Sequence, residues 1–210
     1  MNLEPMNGLA MGLDILALVY AALVFPSALF WLIIHVGHTW WRRLGARSLW
    51  VALPLWGGSG AAIFLLRHRL LAERLGRHGL TLAAAGILLV LAAWIEYQTR
   101  RELGLRRLLG LAEVSSPSSR PPLVTSGIYA SVRHPRYLAY MLGWTAVVLF
   151  TGARGILGLA ILSILLYLVV ARLEEKELEE YYGAESSAYA RAVPRFIPGW
   201  RRTAKPGSSC

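Results

Sequence analysis

Unbroken apolar runs, rather than alternating ones, dominate the chain. The first, Leu13 to Val36, exceeds the roughly 20 residues that carry a helix across a hydrocarbon core, and Pro26 within it predicts a kink. The second, Ser48 to Leu66, holds Pro54 and a small-residue cluster (Gly57, Gly58, Gly60, Ala61, Ala62) that lets a neighbouring helix approach. Gly79 to Tyr97 is rich in Leu and Ala and ends on Trp94 and Tyr97, residues suited to an interface. Tyr137 to Phe150 and Ile156 to Ala171 are shorter, and the turn 151–155 between them allows only an antiparallel helical hairpin. From Arg172 to Tyr182 the sequence turns charged (RLEEKELEEYY) without Gly or Pro, so the last helix runs on as an amphipathic extension. The pattern predicts an all-α polytopic membrane protein of five transmembrane helices, with a hairpin at the fourth and fifth spans and a cytoplasmic C-terminal helical extension. Residues 1–97 form a three-helix membrane region, and 98–210 carry the polar connector, hairpin, extension and tail.

Composition narrows the class. Of 210 residues 56% are hydrophobic, which excludes a disordered chain, and only 16% are charged, against roughly a quarter in soluble domains. The 22 Lys and Arg outnumber the 12 Asp and Glu, giving +10. Few charges, mostly positive, among long apolar runs point to basic loops beside a lipid bilayer; too little solvated surface is left for a nucleic-acid partner. With five spans, 17 of the 22 basic residues fall on one side and 5 on the other. That imbalance places the N-terminus outside and the C-terminus in the cytoplasm, against the irregularity of Arg67, Arg69, Arg74 and Arg77 in the second loop. The preference for Arg over Lys suits a prokaryotic membrane. Cys210 is the only cysteine, so no disulfide framework, cysteine metal site or internal thiol nucleophile is expected, and its position is not that of a prenylation motif. The opening segment carries Glu4 and Asp14 and no Lys or Arg, unlike a cleaved signal peptide. The tail Pro206 to Cys210 reads as disordered and without a role.

Two polar stretches share the basic side. In the first, Val132-Arg133-His134-Pro135-Arg136-Tyr137, Pro135 fits the first turn of a helix, leaving Arg133 and His134 at a positively polarised N-terminus where an anion can bind. A plainer reading competes: Arg133 and Arg136 on lipid phosphates, Tyr129 and Tyr137 in an aromatic belt, His134 as a cap. In the second stretch, Leu178 lies three or four positions from Glu175 and Glu174, so both carboxylates flank one apolar edge, and Arg172 is placed to hold Glu175. Glu177, Glu179 and Glu180 read as solvated helix surface. Glu174 and Glu175 do not, because a carboxylate at a membrane exit is expensive without a partner.

The order GIYASVRHPRY, helical hairpin, RLEEKEL, Tyr182-Gly183 with Tyr189 six residues on, then VPRFIP, spans Gly127 to Pro198 and resembles the isoprenylcysteine carboxyl methyltransferase family and its phospholipid methyltransferase relatives. Ser186 stands where that family usually has an aromatic. The resemblance implies S-adenosylmethionine-dependent methyl transfer at the cytoplasmic interface without a Rossmann fold, in keeping with the lack of a strand followed by G-x-G-x-x-G. It implies that His134, Pro135 and Tyr137 meet the cofactor. Glu174 or Glu175 would take its amino group or sulfonium, and Gly127 and Tyr129 would shape the adenosyl pocket. Arg172, with Arg133 as second choice, would orient an anionic acceptor beside Glu175.

Methyl transfer from a sulfonium is an in-line displacement that needs no metal, and none is expected; alignment and exclusion of water can carry it. A prenylcysteine carboxylate or a thiolate is already a nucleophile and needs an Arg to place it, whereas an aminophospholipid must first lose a proton. With Arg172 and His134 both at hand, the acceptor stays open among these, and a lipophilic one could enter between helices. Three other classes compete: an NADPH-dependent membrane reductase using the same polar pocket, a haem-binding subunit using His35 and His38, which read better as interfacial, and a non-enzymatic assembly subunit, which leaves the ordered motifs unexplained.

Overall fold

The computed structural model describes residues 8–37, 40, 41, 43, 47, 50–76, 78–108 and 122–199, and of 105–108 the backbone alone. The expectations for His38, Arg42, Arg77 and the tail Pro206 to Cys210 lie outside the described residues. The described chain folds as α1 (Gly8–Val36), α2 (Ala52–Ala72), α3 (Gly79–Leu108), a 3-10 turn (Gly127–Ala130), α4 (Pro135–Thr151), α5 (Arg154–Tyr182) and α6 (Ala184–Ala192). Among the described residues there is no strand, only an isolated bridge between Arg74 and Ala153. The all-α expectation holds.

Among the described residues three helices, rather than five, are both long and apolar enough to cross a membrane: α1, α3 from Gly79 to Gly104, and α5. The reason lies in the other two. Helix α4 has 17 residues, and about 25 Å at the helical rise falls short of a hydrocarbon core of roughly 30 Å. Helix α2 spends its second half on Arg67, His68 and Arg69. Helix α3 runs past Tyr97, where the apolar pattern stops, and carries the polar QTRRE segment with it before Gly104 leaves helical geometry at φ +69°.

Packing explains several oddities of the sequence. Helix α1 continues through Pro26, which has no N–H to give, and side chains occupy the carbonyls just before it. Trp56 Nε1 donates to the Leu23 carbonyl (3.1 Å), and the hydroxyls of Ser27 (2.7 Å) and Tyr167 (2.9 Å) donate to that of Val24, binding α1 to α2 and α5. Helix α4 lies against α1, α3 and α5. Its Trp144 is fully buried and meets the ring of Tyr20 edge-on at 5.4 Å.

The hairpin forms where expected. Helix α4 ends at Thr151 and Gly152 takes φ +61°; a Cβ there would press to 2.7 Å from the Gly76 carbonyl, so conformation and space both demand glycine. At this end the guanidinium of Arg74 clasps the buried carboxylate of Asp14 through two bonds of 2.9 and 2.7 Å. The C-terminal end of α1, the start of α4 and the charged part of α5 gather at the other end, around the His134 and Glu177 contacts described next.

Candidate functional site

Pro135 heads α4 as the sequence predicts, and His134 is its N-cap, but His134 makes no side-chain capping bond. Its imidazole turns instead toward α5. Nε2 lies 3.0 Å from Glu175 Oε1 and Nδ1 lies 3.4 Å from Glu174 Oε2, so one buried ring bridges both carboxylates. Tyr137 stacks on that ring at 5.5 Å, and Phe196 covers it at 5.8 Å.

The tail closes over this arrangement. The backbone N–H groups of Arg133 and His134 donate to the carbonyls of Pro194 and Arg195 at 2.9 and 3.1 Å, which fixes the VPRFIP segment against VRHP. Arg195 can then reach Glu175: its Nε donates to Oε1 at 2.8 Å and a terminal nitrogen donates to Oε2. Arg133 approaches the same carboxylate at 3.2 Å. Glu175 is thus held by two guanidiniums and an imidazole, while the Arg172 expected to hold it is exposed. The correction has a geometric cause, since Arg172 shares Glu175's helix whereas the tail delivers Arg195 from across the site. Farther along, the Tyr189 hydroxyl of α6 donates to the Tyr129 carbonyl at 2.7 Å, tying the 3-10 turn to the same cluster.

Two cavities flank the cluster and share Arg133, His134, Leu178 and Tyr189 as a wall. The smaller, about 140 Å³, is lined by Tyr129, Tyr137, Glu174, Arg136 and, from α1, Trp31 and His35. The larger, about 410 Å³, lies between α5 and α6 and is lined by Arg172, Glu175 and Ser186, the small residue at the usual aromatic position. Of the site residues expected from the sequence, Tyr129, Arg133, His134, Tyr137, Glu174, Glu175 and Arg172 therefore border one cavity or the other. Gly127 and Pro135 border neither. Gly127 turns the chain at φ +57° beside the Glu102 carboxylate, which also accepts from Ser126 Oγ at 2.9 Å.

Three further assignments change. Glu177, expected on the solvated face, is buried, and so is His35, expected at an interface; the two pair at 2.8 Å between α5 and α1. Arg136, expected on lipid phosphates, is 9% exposed and lines the smaller cavity with its guanidinium 5.5 Å above Trp31. Nothing local in the sequence marks these three, because each partner lies on a different helix. For Arg195 a signal did exist, in the VPRFIP segment.

The electrostatics follow from burial and pairing. Burial opposes a charged His134, but its hydrogen bonds to Glu174 and Glu175 outweigh that and raise its pKa above the usual histidine value. Burial pushes the Tyr129 hydroxyl far up and that of Tyr189 up to about 12, so both stay protonated donors. The hydrogen bond to Glu175 raises Arg195 further. The arrangement offers one ordered set of carboxylates for a cation, tyrosine faces for a flat ring, and guanidiniums for an anion. Among the described residues no group of His, Cys, Asp or Glu could hold a metal ion.

The chain is 30% identical over 151 residues to methanethiol S-methyltransferase 2 of Bradyrhizobium diazoefficiens, covering 70% of this chain and 51% of that protein. It is 32% identical over 108 residues to the methanethiol S-methyltransferase of Pseudomonas deceptionensis, covering 50% and 38%. The chain therefore spans about half the length of these relatives or less. No solved structure matches it. Residues 80–185, from the start of α3 through the paired carboxylates of α5, match the phospholipid methyltransferase family model, just over half of the chain, and the protein belongs to that family.

Proposed function

We propose that the protein is an integral membrane methyltransferase that uses S-adenosylmethionine to methylate a small thiol. The observation that carries this is the bridging of Glu174 and Glu175 by buried His134, beside a tyrosine-lined cavity at one end of the apolar helices. The residues present fit the cofactor. Glu174 supplies an anionic wall for the amino group or sulfonium, Tyr129, Tyr137 and Tyr189 supply aromatic faces, and Arg133 and Arg136 can take a carboxylate, all of them around the cavity that reaches Trp31 and His35. When bound, the cofactor supplies an electrophilic methyl group on sulfur. The chain's own residues bind it, orient it and exclude water; Glu175, clamped by Arg195, Arg133 and His134, keeps the wall between the cavities rigid.

The thiol acceptor is supported by the relatives' names. A prenylcysteine carboxylate oriented by Arg172 and Arg133, or an aminophospholipid, are the competing acceptors. In this reading α2 and α4 run between the same two ends of the bundle as the three long apolar helices, because Gly152 at the end of α4 packs on the loop after α2 at the end opposite His134. The site end then faces the cytoplasm and the N-terminus lies outside.

The test is a purified protein in detergent. S-adenosylhomocysteine should raise its unfolding temperature and NADPH should not; stabilisation by NADPH alone would mean a reductase. Transfer of a tritiated methyl group should favour ethanethiol over farnesylcysteine and phosphatidylethanolamine, and the reverse order replaces the acceptor. Cys210, the single thiol, should resist a membrane-impermeant maleimide in intact cells.

A further inference from the structure

The larger cavity, between α5 and α6, is separate from the one proposed for the cofactor and differs from it in charge. Its volume of about 410 Å³ is that of a ligand site. Four Lys and Arg side chains line it: Arg172 and Lys176 one turn apart on α5, Arg191 on α6, and Arg133 just before α4. Two carboxylates face the same space, and both are engaged. Glu175 accepts from Arg195, with Arg133 and His134 at 3.2 and 3.0 Å, and Glu179 accepts from the Ser187 hydroxyl at 3.2 Å. Arg172, Lys176 and Arg191, by contrast, are exposed and make no ion pair among the described residues. The Nε of Arg133 is buried without a hydrogen-bond partner, although another nitrogen of the same guanidinium meets Glu175. The cavity also has a definite height along α5. Ala171 ends the apolar run and Arg172 opens the charged extension, so the cavity begins where that helix leaves its apolar stretch.

We propose that this cavity binds a phosphate ester, with Arg172, Lys176 and Arg191 as its cationic wall. A carboxylate is satisfied by one guanidinium in a two-point contact, whereas a phosphate presents oxygens in several directions and suits cations that converge from two helices. An ester of this kind is carried by the headgroup of a membrane lipid or by a soluble compound. The position at the end of the apolar run, where headgroups lie and where basic side chains meet lipid phosphates, favours the lipid. Bound there, the phosphate ties the charged extension of α5 to α6 through their side chains, on the far side of the wall that Arg133 and His134 share with the smaller cavity. The site takes no part in the methyl transfer proposed above and stands apart from it.

The test titrates the full chain, purified in a non-ionic detergent, by calorimetry with three probes: dihexanoylphosphatidylglycerol, dihexanoylglycerol, which lacks the phosphate, and glycerol 1-phosphate. The phosphatidylglycerol should bind with an affinity that falls as salt is raised. Lys176→Gln and Arg191→Gln, both at exposed positions and so compatible with folding, should weaken it about threefold each and about tenfold together. Tighter binding of the phosphatidylglycerol than of glycerol 1-phosphate identifies a lipid headgroup as the source, and equal binding identifies a soluble ester. S-adenosylhomocysteine should bind wild type and double variant alike and should not displace the phosphate. Dihexanoylglycerol binding as tightly as the phosphatidylglycerol, an affinity indifferent to both substitutions, or displacement by S-adenosylhomocysteine overturns the proposal. A wild type that binds the phosphatidylglycerol but not S-adenosylhomocysteine supports it and removes the cofactor assignment instead.

Discussion

The two ends of the helical bundle are fastened by the same chemistry, a carboxylate held by a guanidinium, yet they are built differently around it. At one end Asp14 and Arg74 form a single pair, with side-chain exposures of 6% and 25%, Arg74 also donates to the Thr151 carbonyl at 3.1 Å, and glycines bring the loop after α2 against the hairpin turn. Neither cavity described above reaches it. At the other end Glu175 and Arg195 share their charges with Arg133 and His134, and a cavity opens on each side. Such a pair is a fastener: without the carboxylate the guanidinium keeps only the Thr151 carbonyl. A carboxylate held by several partners suits a wall that must keep its place while a ligand enters and leaves.

Breaking each end in turn should separate stability from binding. The largest loss of stability is expected from Asp14→Ala, on the order of 3 kcal/mol, because the partly exposed Arg74 guanidinium keeps only its bond to the Thr151 carbonyl. The folded fraction should still bind S-adenosylhomocysteine with wild-type affinity; a tenfold loss of affinity would show that the ends are not independent. Glu175→Gln should cost less, about 1.5–3 kcal/mol, the usual worth of hydrogen bonds to a charged group, and should weaken S-adenosylhomocysteine binding more than tenfold by titration.

The third expectation concerns pH. Because folding raises the His134 pKa above its unfolded value of about 6.5, the charged ring contributes stability that is fully present below that pH and is lost as pH rises through the raised folded value. Unfolding temperature should therefore decline through the window above pH 6.5, and His134→Gln should flatten that decline. A variant with the wild-type slope would assign the effect to another group. The smallest effect belongs to Glu179→Gln, which loses one exposed contact with Ser187 and should leave stability within about 0.5 kcal/mol and binding unaltered.

The same contrast explains what could be read without the structure. The hairpin, the unbroken α5 and Pro135 at the head of α4 were legible because each is a local matter of run length, turn residues and proline geometry. His134 and the two carboxylates stood out because charge at a membrane exit demands a partner, and the structure does bring them into contact. What stayed hidden were pairings between distant segments. Glu177 looks like its neighbours on a charged helix until α1 arrives with His35, and Arg136 looks like a lipid anchor until Trp31 and the walls of the cavity enclose it. The count of spans fell from five to three because apolar character alone does not register how early α4 stops or how much of α2 is given to Arg67, His68 and Arg69.

The seam between the VRHP segment and the VPRFIP segment bears on the timing of synthesis. Tyr129 and Tyr189, which meet across the same cluster, are 60 positions apart, so the residues that close the site are made after both helices of the hairpin. The helices can settle against one another beforehand, but the pocket is sealed only by the tail. A released chain ending before Arg195 would thus have its helices but leave Glu175 without its clamp.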